Sequence, residues 1–160
     1  MGKMMLSVFM GLAIVLAGAP GALALQSGGV EIGDYETGSV VGQPFRELGV
    51  DLEFYALENV GGKKVWYPPA ATLNLKARSG APVVFKVTNE SSAEHGFFMS
   101  ADSDFAAPTS MKVELVLKPG ETKYVGIPTS DLTYVTAGGV LKYRCHLHDT
   151  HIGGTLLVVK

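Results

Sequence analysis

Apolar residues recur at every second position in short stretches of this chain, and clusters of Gly, Pro, Asn and Ser divide the stretches. The segment from Met111 to Leu117 sets Val113, Leu115 and Leu117 against Lys112, Glu114 and Val116. A period of two puts one set on each face of a pleated strand. The same reasoning predicts strands over Val50 to Leu57, Lys63 to Tyr67, Ala71 to Ala77, Val83 to Thr88 and Gly96 to Ser100. It predicts further strands over Thr122 to Ile127, Tyr134 to Ala137, Val140 to Cys145 and Thr155 to Val159. Asn59-Val60-Gly61-Gly62 joins the first two as an N-terminal hairpin, which Pro68-Pro69 ends. Lys118-Pro119-Gly120-Glu121 is a tight turn between two paired strands. No segment holds a period of 3.6 over three turns; Ser100 to Thr109 accommodates a short helical turn at most. The pattern predicts an all-β domain, an antiparallel sandwich or barrel.

Two flanking regions fall outside that pattern. Lys3 precedes a nearly uncharged apolar run from Met4 to Ala17, Pro20-Gly21 breaks it, and Ala22-Leu23-Ala24 is a cleavage signature. Residues 1–24 therefore read as a signal peptide cut after Ala24. The run is short for a membrane span, so no stable span is expected after cleavage, and no cysteine stands near the cut to carry a lipid. Residues 25–49, rich in Gly, Ser and Glu, read as a linker or loosely ordered arm without an assigned strand. Residues 50–160 read as the folded domain, and the exported chain is one domain by size.

A formal charge of −2 without a basic run gives no reason to expect nucleic acid or an anionic membrane as partner. Export to the periplasm or beyond implies an oxidising compartment, where an exposed lone thiol is a liability. The chain has one cysteine, Cys145, and it stands beside three of the four histidines: Cys145-His146-Leu147-His148-Asp149-Thr150-His151. The fourth, His95, lies far upstream in Glu94-His95-Gly96-Phe97. Thiolate with imidazole is a donor set that suits copper, with zinc second. Cys145 ends a predicted strand, two residues separate it from His148 and two more separate His148 from His151. Gly153-Gly154 then lets the chain turn back. A tight loop of this kind directs Cys145, His148 and His151 to a common centre, and His95 completes the set from a distant strand. Neighbours in a strand face opposite ways, so His146 is expected to point away. Met99 shares a face with His95, but a core methionine is the simpler reading than an axial thioether. Trp66 and Tyr67 are assigned to filling the hairpin face.

These motifs resemble those of the cupredoxins over roughly Ala71 to Lys160. Asn89 to Phe97 is similar to the family's segment around its first histidine. Lys118 to Thr122 is similar to its turn, and Tyr143 to Thr155 to its ligand loop. The resemblance implies a Greek-key β-sandwich around one mononuclear copper ion. Most members carry a methionine where His151 stands. Within the family the chain looks most like the nitrosocyanin-like red copper proteins, whose loop also ends in a histidine ahead of Gly-Thr-Leu. Those proteins place a glutamate before Gly-Phe where this chain has His95, which leaves Glu94 as an alternative ligand. By the same analogy the hairpin supports a homotrimer. The single cysteine argues against the binuclear copper centre of oxidase subunit II.

The function this implies is one-electron transfer between redox protein partners. The alternative is a nitrosocyanin-like site that binds or transforms a small nitrogen oxide. Copper carriage is disfavoured because no Met/His-rich surface motif is present. No general acid, base or nucleophile set accompanies the donors, and Asp102 and Asp104 read as a solvated loop. A non-enzymatic carrier is the expectation.

Overall fold

The computed structural model describes residues 25–27, 29–59, 61–101, 111–135 and 139–160. The segment read as a signal peptide, Asp102 and Asp104 lie outside these residues, as does most of the predicted helical turn after Ser100. In chain order the elements are β1 (Leu25–Ser27), β2 (Glu31–Gly33), β3 (Ser39–Val40), β4 (Gln43–Pro44), α1 (Phe45–Leu48), β5 (Leu52–Glu58), β6 (Lys64–Tyr67) and β7 (Ala70–Asn74). They continue with β8 (Val83–Asn89), β9 (His95–Ser100), β10 (Lys112–Leu117), β11 (Thr122–Ile127), α2 (Thr129–Val135), β12 (Val140–Arg144) and β13 (Gly154–Val159). One main sheet has the order β1-β10-β9-β12-β13-β7, the second main sheet β2-β11-β8-β5-β6, and β3 pairs with β4 in a small sheet of their own.

The inward positions of both sheets meet in one apolar layer, so the chain is an all-β sandwich. Val113, Leu115 and Leu117 enter it from β10, Val83, Phe85 and Val87 from β8, and Phe97 and Met99 from β9. Phe54 lies edge-on to Phe85 and tilted against Phe97. Burying each of these rings contributes about 2 kcal/mol.

Three expectations change. The sheets are mixed: β13 runs parallel to β7 and β5 runs parallel to β8. Each parallel pair joins strands far apart in the chain, so no hairpin fixes its direction. The β5–β6 hairpin forms as predicted and extends its sheet through β5. Residues 25–49 carry four short strands and α1, where the sequence supported no strand. Here Val40 and Phe45 are fully buried against Val84, covering the outer face of β8. That cover explains why successive residues Val83, Val84 and Phe85 are all buried. Finally, Tyr134 lies in α2, not in a strand. Pro128 opens that turn, its carbonyl accepting from the N–H groups of Asp131 and Leu132, and Leu132 anchors the helix in the core. Among the described residues no helix is long and apolar enough to cross a membrane.

Candidate metal centre

His95 is the first residue of β9, and Cys145 directly follows β12. These strands pair antiparallel, with Arg144 opposite Phe98, so the pairing brings both residues to one end of the sandwich. The Gly96 N–H faces Cys145 Sγ at 3.4 Å. The loop after Cys145 then doubles back, the His151 N–H donating to the His148 carbonyl at 3.2 Å. His148 Nδ1 comes within 3.4 Å of Cys145 Sγ. One donor atom from each of His95, Cys145, His148 and His151 lies within 4.8 Å of the others. Ring centroids of His95 and His151 are 4.5 Å apart, and those of His148 and His151 are 4.4 Å apart.

His95 and Cys145 are each 1% exposed, His151 is half-buried and His148 reaches solvent. The buried nitrogens His95 Nε2 and His151 Nδ1 have no hydrogen-bond partner. Buried polar atoms are rarely left this way, and a shared ion would satisfy both. One sulfur and three nitrogens at this separation suit a copper or zinc ion.

The other residues weighed from the sequence stand apart. Glu94 is exposed and outside the cluster. Met99 is buried in the core layer. His146 faces away, as expected from its position after Cys145; its ring packs on Gly96, and its Nε2 lies 3.7 Å from a Glu114 carboxylate oxygen.

Two supports escaped the sequence reading as site residues. Asn89 is fully buried at the end of β8. Its Nδ2 donates to the Ala93 and Leu117 carbonyls at 2.7 and 2.9 Å, and its Oδ1 accepts from the Ser91 N–H and hydroxyl at 3.0 and 2.8 Å. These bonds shape the loop that delivers His95. Trp66 is also buried, edge-on to the His95 ring. A polar residue ending an apolar strand was the available signal for Asn89; Trp66 offered none, because its contacts with the site, to His95, Gly96 and Ile152, are distant in sequence.

The glycines after His151 are required by close approach. A Cβ on Gly153 would lie 2.2 Å from the Tyr143 carbonyl oxygen, and one on Gly154 would lie 2.4 Å from the Tyr143 hydroxyl. That hydroxyl donates to the Pro68 carbonyl. Gly153→Ala is therefore expected to push the loop outward and weaken metal binding about tenfold. A competition titration with a chelator checks this; unchanged affinity would show that the loop can shift freely.

Burial, then the neighbouring His151 and His148, holds the His95 imidazole down to about 4. Burial and then His148 displace His151 in the same direction. An unfolded histidine titrates near about 6.5. As pH falls from about 6.5 to about 4, the unfolded metal-free chain binds a proton at His95 that the folded chain does not. His95's share of stability is thus complete above the unfolded value and is lost across that window. At about 1.4 kcal/mol per pKa unit this share is on the order of 3 kcal/mol. Denaturant midpoints of the metal-free protein should fall over this range, and His95→Gln should flatten the curve.

No protein-family model matches the chain, and no curated protein matches it. Among solved structures it is similar to a purple cupredoxin from Nitrosopumilus maritimus, at 18% identity and a TM-score of 0.44, covering 68% of this chain and 99% of that one. It is similar to auracyanin B at 15% identity and a TM-score of 0.48, covering 70% and 91% of the two chains. It is also similar to the reduced Cu(I) form of an amicyanin variant, at 14% identity and a TM-score of 0.44, covering 69% and 82%. At these values the sandwich described above carries the fold assignment.

Proposed function

We propose that this chain is an exported mononuclear copper protein of the cupredoxin kind, passing single electrons between redox partners in the periplasm. One observation carries the reading: a thiol and three imidazoles from two distant segments meet within 4.8 Å. His95, Cys145, His148 and His151 would hold the ion, which when bound supplies the one-electron couple. The protein's part is to keep that set fixed. His95 and Cys145 are shielded from water by the core, so their positions need little adjustment when charge changes. The exposed His148 gives a partner a short approach, rimmed by Leu147 and Ile152, which are 40% and 49% exposed. Four donors make a complete four-coordinate set, which favours electron transfer over binding of a small nitrogen oxide.

The test is reconstitution of the mature chain with Cu(II), followed by a redox titration. The expected result is one copper per chain, a sulfur-to-copper absorption band that bleaches reversibly on reduction, and loss of that band in Cys145→Ser. Tight zinc binding with no redox-active copper would overturn the proposal.

A further inference from the structure

Two donor-bearing segments meet on Trp66. β6 is the edge of its sheet, and its open side pairs with the ligand loop: the Trp66 N–H donates to the Ile152 carbonyl at 2.8 Å, and the Ile152 N–H donates to the Lys64 carbonyl at 3.0 Å. Ile152 directly follows His151. The indole Nε1–H of the same tryptophan donates to the Gly96 carbonyl at 3.2 Å. Gly96 directly follows His95, and its own N–H faces Cys145 Sγ. The indole also lies edge-on to the His95 ring, with centroids 6.3 Å apart and planes at 87°. It also lies edge-on to the Phe97 ring, with centroids 4.9 Å apart.

We propose that Trp66 is a positioning residue that sets the separation of His95 and His151 by gripping the residue after each. This rests on the metal reading above and adds to it a determinant outside the donor set. A tryptophan that only filled space would need its ring and not its N–H. Here the backbone N–H and the indole N–H are used on different segments, one for each distant histidine. The spacing of those histidines decides how strongly the fourth donor engages, and outer contacts of this kind tune affinity and electronic character.

The test compares the wild-type chain with Trp66→Phe and with a chain carrying benzothienylalanine at position 66, which keeps the indole outline without the N–H. Each is loaded with Cu(II) and measured by paramagnetic resonance, by reduction potential and by chelator competition. The expected result for both variants is binding weakened about tenfold, with altered copper hyperfine splitting and a shifted potential. A merely structural role would lower the melting temperature and leave the copper signature unchanged. If Trp66→Phe fails to fold, the isostere decides. An isostere identical to wild type in spectrum, potential and affinity overturns the role of Trp66 alone. A wild-type chain that binds no copper overturns the metal reading, and this inference with it.

Discussion

Exchanging His151 for methionine is expected to turn a red or green-yellow copper protein into a blue one and to raise its reduction potential. His151 is half-buried, and its ring lies 4.4 Å from that of His148 and 4.5 Å from that of His95. Its ring nitrogen lies in the same cluster as Cys145 Sγ, so it would serve as the fourth donor to a shared ion. An imidazole is a harder and stronger ligand than a thioether, so it favours Cu(II) and draws the site away from the trigonal arrangement. A weak thioether returns bonding to the sulfur of Cys145 and favours Cu(I). The potential should rise by about 59 mV for each tenfold by which His151 prefers Cu(II) over Cu(I). Optical spectra and a redox titration of the two proteins check this. An unchanged spectrum would place His151 outside the donor set.

Replacing Asn89 by alanine is expected to cost about 3 kcal/mol of stability. Four hydrogen bonds converge on this fully buried side chain. Its backbone adds two more, accepting from the Gly120 N–H at 2.8 Å and donating to the Glu121 carbonyl at 2.9 Å. Alanine keeps the backbone pair and strands the buried Leu117 carbonyl and Ser91 N–H, whose desolvation is no longer compensated. The loop before His95 then loses its shape, so metal affinity should fall with stability. At about 2–4 °C per kcal/mol for a chain of this size, thermal melts of the metal-free protein should show the loss plainly. A melting point within a degree or two of wild type would mean that water replaces the side chain.

The clustering of His95, Cys145, His148 and His151 was legible because it is mostly local. Cys145, His148 and His151 lie within one short loop, and a glycine pair must follow where the chain turns against Tyr143. The strands were legible where one face meets the core and the other meets water, as along β10. Reading failed where burial comes from afar. Val84 and Phe45 carry no local sign that they cover each other. Strand direction was hidden for the same reason, since β7 and β13 pair although five strands intervene between them in the sequence. Tyr134 misled because a β-favouring side chain sits, 79% exposed, on a short helix that Pro128 and Leu132 fix. From the sequence Trp66 reads only as a hairpin-filling residue, because the edge of β6 closes on a loop far away in the chain.

X-ray absorption at the copper edge of the loaded protein decides whether Cys145 and the histidines share one ion. A shared site gives one sulfur neighbour together with imidazole nitrogens around a single copper, the sulfur disappearing in Cys145→Ser and the imidazole count dropping in His95→Gln. A copper surrounded by nitrogen and oxygen alone, unchanged by both substitutions, would contradict it.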